Sequence, residues 1–234
     1  MIYITGDLHG DIERIKKLPV RLKKQDTLIV LGDFGFVWNA GAEEQKQLAW
    51  LGRRPYQILF LDGAHENHDL LDRLPAEDFA GGRACRVSGN LWRLLRGEIY
   101  TLEEKTYLCM GGGETPDKDS RQEGESWWPQ ELPTDADYEN CRKNLAAHGG
   151  RVDVVLTHDV PARTLRLLTM NEEPNLETNR LQEFLEELYR TAKWDKWFFA
   201  RLHLDRTLGP KTSAVYRKVL PAFEPAAKKG WFAR

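Results

Sequence analysis

The sequence predicts an α/β protein built on a mixed β-sheet, on three observations. In the first half, apolar strand-like runs alternate with helix-period patterns. Five apolar runs, IYIT, TLIVL, YQILFL, VDVVL and KWFF, each lead directly into a short polar motif. The stretch 97–113, GEIYTLEEKTYLCMGGG, has the pattern of a hairpin whose turn lies near the EEK. Continuous apolar runs mark strands buried on both faces, and a hairpin among them makes the sheet mixed rather than purely parallel.

The elements follow in order. After the strand IYIT, Ile12, Ile15, Leu18 and Leu22 recur at helical spacing behind Asp11, and Pro19 should kink or break that helix. Residues 42–53 form a second helical pattern, and Leu70, Leu71 and Leu74 a short third one stopped by Pro75. Beyond the hairpin, a helix with Tyr138, Cys141 and Leu145 on one face precedes VDVVL. A further helix over about 176–192 carries Leu181, Leu185 and Leu188, and 213–220 closes the chain as a strand. The basic runs at 14–24 and 83–96 are most simply solvated helix and loop faces. With no internal repeat, low-complexity tract or linker, residues 1–234 are expected to form one domain.

Composition narrows the function classes. A 41% hydrophobic content supports a full core, and a formal charge of −2 argues against a general nucleic-acid or membrane-surface binder. Cys85, Cys109 and Cys141 are odd in number and widely spaced, which suggests small buried residues rather than disulfides or a thiolate zinc site. The chain opens directly on MIYIT without a charged-then-apolar leader. No run approaches the ~18 apolar residues of a membrane span, so a soluble cytoplasmic protein is expected.

The chemistry lies in the motifs GDLHGD (6–11), LGDFG (31–35), GAHE (63–66), THD (157–159) and ARLH (200–203). Each follows a strand, where clefts open in α/β sheets. Asp7 and His9 alternate along an extended segment, so both side chains leave one face and can share a cation. Asp33 can join them from the next strand end, and His65, His158 and His203 can converge on the same edge. Oxygen and imidazole donors together suit Mn, Fe or Zn better than Ca. A lone His or Asp at a strand end is usually structural, but five such ends in one chain point to a divalent-metal centre.

The region 111–133 is too rich in Gly, Pro and charge for a regular element, and long irregular loops are often functional. Trp127 and Trp128 either anchor this loop or line a pocket; Asp117, Lys118 and Arg121 either face a phosphate or solvate the loop. Phe34, Phe36 and Trp38 are candidates for an aromatic wall beside the site, or for core packing.

Taken together, these residues resemble the calcineurin-like metallophosphoesterases, whose pattern runs D-x-H, G-D, G-N-H-[DE], H and G-H-x-H. The resemblance spans nearly the whole chain, and the GGG…DK…R…SWWP loop is similar to that of a bacterial phosphatase-like subgroup. It implies a two-sheet mixed β-sandwich flanked by helices, with a two-metal site at the strand ends. By this likeness Asp7, His9, Asp33 and His203 would hold one ion. Asp33 would bridge to a second, bound also by His158. His65 would be the general acid for the leaving oxygen, oriented by Glu66 or Asp33. Metal-activated water would then hydrolyse a phosphate mono- or diester.

Two departures fall on the second ion's ligands. Ala64 replaces the Asn of G-N-H, and Arg201 the first His of G-H-x-H; Ala200 also replaces the preceding Gly. Ala64 has no donor atom, and a guanidinium stays protonated and repels a cation. The second ion is therefore expected to bind weakly or not at all. An arginine there can instead grip a phosphate oxygen and supply positive charge, which makes Arg201 a third catalytic candidate beside His65 and Glu66. Three functions follow: a metal-dependent phosphoesterase, a phosphate or nucleotide binder with impaired catalysis on the same fold, and a nuclease, the last disfavoured by the charge balance.

Overall fold

The computed structural model describes residues 1–169 and 177–224. The first strand, β1 (Ile2–Thr5), is followed by α1 (Ile12–Lys16), β2 (Thr27–Leu31), α2 (Ala42–Gly52), β3 (Gln57–Leu61) and α3 (His68–Leu71). Three strands, β4 (Ala76–Phe79), β5 (Gly82–Ser88) and β6 (Leu91–Leu94), precede the expected hairpin of β7 (Ile99–Leu102) and β8 (Lys105–Met110). Then come α4 (Asp135–Ala147), β9 (Val154–Thr157), α5 (Ala162–Thr169), α6 (Arg180–Thr191) and β10 (Lys196–Phe199). Short strands β11 (Arg206–Leu208), β12 (Thr212–Ala214) and β13 (Leu220–Pro221) complete the order.

These strands form two mixed sheets, in the orders β13-β1-β2-β3-β6-β5-β4 and β11-β12-β10-β9-β8-β7. In the first, β1, β2, β3 and β6 run parallel; in the second, β8, β9, β10 and β12 do. The five apolar runs of the sequence are the centres of these parallel blocks, which explains their lack of alternation: TLIVL is buried at every residue. Inner-face residues of both sheets, among them Ile4, Ile29, Leu61, Tyr107, Leu156 and Phe198, make the central layer. Ile15, Leu48 and Leu51 cover the outer face of the first sheet, and Tyr138, Cys141, Leu145, Leu181, Leu185 and Leu188 that of the second. The result is the α/β sandwich expected, with helices outside both sheets.

Local signals hold where short-range chemistry decides. Asp11 caps α1, which ends at Lys16 ahead of Pro19, and Thr134 and Asn179 open α4 and α6 with reciprocal capping boxes. Glu103 and Glu104 both take positive φ at the hairpin turn. All three cysteines are buried and free.

Three expectations are corrected. The run 83–96 is not a helix or loop face but β5 and β6, missed because exposed Arg83 and Arg86 and buried Arg93 interrupt their apolar pattern. Arg93 is 6% exposed. The closing strand over 213–220 is two short strands, with residues 215–219 as a loop between them. The helix expected over about 176–192 is α6, which starts only at Arg180 behind its cap Asn179, and residue 176 lies outside the described residues.

The buried arginines tie the sandwich together at the end where the motifs lie. Asp62, fully buried just past β3, accepts from Arg96 Nε at 2.8 Å, and Arg93 Nη2 lies 3.6 Å from its other oxygen. The Asp62 carbonyl accepts from Gly112 N at 2.9 Å, which joins this cluster to the second sheet. Burial alone would raise the Asp62 carboxyl, but the two guanidinium groups hold it well below the usual carboxylate range. Asp62→Asn leaves two buried arginines without their partner and is expected to cost about 3–5 kcal/mol. Because the folded pKa is depressed, that stabilisation is present above pH ~3.8 and is lost as pH falls through the folded value. Urea unfolding of both proteins at pH 7 and pH 3 checks this, with a smaller gap at pH 3.

Candidate metal centre

The ends of β1, β2, β3, β9 and β10 lie side by side or face to face across the two sheets, so their polar motifs meet at one edge. Asp7 Oδ2 lies 3.1 Å from His203 Nε2, and His9 Nε2 lies 3.2 Å from His203 Nε2 and 3.8 Å from Asp33 Oδ2. His65 donates its backbone N–H to Asp33 Oδ1 at 2.8 Å and sets Nδ1 2.9 Å from Asp33 Oδ2. His158 is fully buried between the two carboxylates, with Nδ1 donating to Leu31 O at 2.8 Å and Nε2 3.5 Å from Asp33 Oδ1.

The backbone there is forced. His9, Asp33, Arg201 and His203 all adopt positive φ, a region that non-glycine residues occupy only at some cost. Close approach adds a second constraint: a Cβ on Gly63 would lie 2.1 Å from Asp33 Oδ1, and one on Gly32 2.3 Å from His158 Nδ1. Glycine at those two places lets the carboxylate and the imidazole reach the site.

Two buried carboxylates side by side repel, and this site answers with imidazole. Burial opposes ionisation of Asp7 and Asp33, yet His158 beside them pulls both carboxyls below their ordinary values. Burial likewise opposes the charge on His158, but Asp33 and Asp7 outweigh it and raise its pKa to about 10. His203 is raised by the Asp7 carboxylate beside it, while burial lowers His9.

The donor set fits a divalent cation. Asp7 Oδ1 and Oδ2 and His158 Nε2 are buried without a hydrogen-bond partner, an expensive arrangement unless an ion engages them. Neighbouring ligands around an ion with bonds of 2.0–2.1 Å stand about 3.0–3.4 Å apart, the spacing seen from His203 to Asp7 and to His9. Among the described residues two groups are compact enough to hold an ion: Asp7, His9 and His203, and His9, Asp33 and His65. His158 belongs to neither, because it turns a different nitrogen toward each carboxylate.

The structure places the other expected residues differently. Among the described residues Glu66 makes no hydrogen bond to His65; its buried carboxyl accepts the N–H groups of Phe34 at 2.7 Å and Gly35 at 3.3 Å. Burial, with Asp33 nearby, raises it to about 8, well above an ordinary carboxyl, and the group braces the β2 loop. Asp33 is the group that orients His65. Arg201 neither swings into solvent nor stands free: Nη1 donates to Asp159 Oδ2 and Nη2 to Glu114 O, both at 2.7 Å. Ala64 is buried against the space beside Gly113 and His158, where it brings a methyl group and no donor. Phe34 and Phe36 are core residues, whereas Trp38 lines the cavity over His9 and His65. Trp128 is buried and meets Trp38 edge-on at 5.6 Å, so the 111–133 loop is anchored beside that cavity.

Sequence reasoning missed three supports. Tyr216, in the segment read as a strand, stacks on the His203 ring at 4.5 Å. Arg14, read as a solvated face, donates to the carbonyls of Asp7 and Tyr216. Asp159, buried beside His158, pairs with Arg201 and accepts from Gln182. Only Asp159 had a signal, as the last residue of THD.

This edge of paired strands carries Asp and His donors suited to a divalent ion, as in a metal-dependent enzyme, and comparison with known families gives the class. The family model of the calcineurin-like phosphoesterases matches residues 1–201, and the chain belongs to that family. The match stops two residues short of His203. Comparison with curated protein sequences finds no match. Among solved structures, a phosphopantetheinyl hydrolase from Mycobacterium tuberculosis is similar at 18% identity, over 96% of this chain and 98% of that one, with a TM-score of 0.39. The family uses divalent metals and acts on phosphate esters; no described helix is long and apolar enough to cross a membrane.

In protein freed of metal, the His158 imidazole is expected to stay protonated to above pH 9, and Asp33→Asn to lower its pKa. A histidine-selective NMR titration of both proteins in chelator checks this, and an unshifted His158 would sink the electrostatic account.

Proposed function

We propose that this protein hydrolyses phosphate mono- or diesters with one firmly held divalent ion, Mn, Fe or Zn, and a weakened second site, the whole chain acting as one domain. Asp7, His9, Asp33 and His203 hold the first ion. Asp33 and His158 are all that remains for the second. When bound, the ion supplies positive charge to the phosphoryl oxygens and acidifies a water. His65 donates a proton to the leaving oxygen: Asp33 occupies Nδ1, which leaves Nε2 as the nitrogen that exchanges protons at the open side. The observation that carries the reading is the pair of unpartnered Asp7 oxygens, one of them 3.1 Å from His203 Nε2, which in turn stands 3.2 Å from His9 Nε2, both at ligand spacing.

The weakened second site is supported by two neighbours of His158 and Asp33. Ala64 contributes no ligand, and the Arg201 guanidinium remains charged because Asp159, against the opposing effect of burial, holds its pKa above the usual value. Arg201 acts here chiefly as a tie between Asp159 and the 111–133 loop, with its charge partly replacing that of an ion. A phosphate binder of impaired turnover is the second reading, favoured by the same two residues. Nuclease activity is the least favoured reading, on the charge balance, and Arg93 and Arg96 are taken up by ion pairs with Asp62.

Metal analysis with a turnover assay separates these readings. The protein is expected to hold about one Mn per chain and to hydrolyse aryl phosphates, and Ala64→Asn with Arg201→His to raise the metal content toward two. Two ions bound to the unaltered chain without excess metal would refute the weakened site; one ion without hydrolysis would leave the binder. A general acid matters most for poor leaving groups. His65→Gln should therefore lower kcat for an alkyl phosphate by about 10²–10⁴-fold and that for p-nitrophenyl phosphate far less, with metal content unchanged. Equal losses on both esters would remove His65 from the proton-donor role.

A further inference from the structure

We propose that Arg121 is a specificity-determining residue, which selects phosphoesters whose leaving group carries a second negative charge. The proposal rests on the reading of the metal centre as a phosphoester site. A cavity of about 400 Å³ opens over His9 and His65 and is completed by Gly35, Trp38 and Arg121. With the scissile phosphoryl group at the Asp7, His9 and His203 donors and the leaving oxygen at His65, the rest of the leaving group extends between the Trp38 ring and the Arg121 guanidinium. Among the described residues no carboxylate lines that space, and Arg121 brings it a fixed positive charge.

The guanidinium is aimed rather than consumed. Its Nε donates to Asp117 Oδ1 at 2.8 Å and Nη1 to Ser126 O at 3.3 Å, while Nη2 donates to no described residue. Asp117 is half-exposed, and such a pair is worth little in water, so it orients the plane of Arg121 without cancelling its pull on an anion brought into the crevice. The outer N–H groups then offer a fork to a carboxylate or phosphate.

The loop that carries Arg121 is held at several points. Glu114 receives Arg201 on its carbonyl, Lys118 on one carboxylate oxygen at 2.8 Å and Asn179 on the other at 3.1 Å. Farther along, Thr115 donates its N–H and its hydroxyl to Glu131, and Trp128 is buried against Trp38. Trp38 is itself fixed, since its N–H donates to Glu44 at 2.9 Å and its carbonyl accepts from Asn67 at 2.7 Å. Charge and wall are therefore in place before a ligand arrives, which limits the ordering cost of binding.

Two non-hydrolysable probes test this: benzylphosphonate and 4-carboxybenzylphosphonate, titrated calorimetrically into the Mn-loaded full chain. The unaltered protein is expected to bind the carboxylated probe at least about tenfold tighter, the range of a hydrogen bond to a charged group. Arg121→Ala should bring the two affinities within about twofold, and Arg121→Lys should keep part of the preference. Arg121→Gln stands in if the alanine variant does not fold. Equal affinities in the unaltered protein, no binding of either probe, or a preference that survives loss of Arg121 would each overturn the proposal. Turnover does not enter the measurement. A chain that hydrolyses no ester but shows the Arg121-dependent preference would refute the proposed activity and keep this inference.

Discussion

Everything at the motif edge depends on one electrostatic constraint: Asp7 and Asp33 are buried carboxylates close enough to share the ring of His158. Like charges in a low-dielectric interior are tolerated only beside positive charge. The sandwich supplies it in two forms, an imidazole raised to about 10 from the second sheet and a donor geometry suited to a divalent ion. The first sheet contributes the negative groups and the second contributes His158 and His203, so the site exists only when the two sheets are packed.

The remaining structure keeps that pair in register. Gly63 and Gly32 admit Asp33 and His158 to positions that a side chain would block, and the positive φ values of His9, Asp33 and His203 are imposed by the packing around them. Below the site, Asp62 with Arg93 and Arg96 closes the end of the sandwich by a buried ion cluster. Beside it, Arg201 spends two of its donors on Asp159 and the Glu114 carbonyl, which connects the His158 strand end to the loop over the cavity. A residue that looks like a damaged metal ligand in the sequence thus acts in the fold as a structural tie.

The candidate site was legible to the extent that its chemistry is local. Each apolar run marked the strand that ends in a ligand, but Asp7 and His9 come together through a turn with positive φ at His9 rather than by alternation along an extended segment. Glu66 shows the opposite case. Its neighbour His65 suggested a catalytic partnership, but the turn sends the two side chains apart, and Glu66 binds the Phe34 and Gly35 N–H groups. Tyr216 and Arg14 carried no signal, because Tyr216 stacks on His203 out of a loop with no regular pattern, and Arg14, besides the nearby Asp7 carbonyl, bonds that of Tyr216 across 202 residues of sequence.

The sequence by itself determined the strands at the centres of both sheets, the capped helices α1, α4 and α6, and the ligand-type residues at five strand ends. Apolar runs, caps and turn residues act over a few positions, so the chain states them directly. Tertiary structure alone decided that β6 holds a buried arginine, since the buried partner Asp62 is what makes Arg93 tolerable inside the sheet, with Arg96 just beyond the strand on the same carboxylate. It also decided which nitrogen of His158 faces which carboxylate, that Asp33 rather than Glu66 orients His65, and that Arg201 bonds Asp159. Each of these is a choice among partners distant in sequence, made by how the two sheets pack.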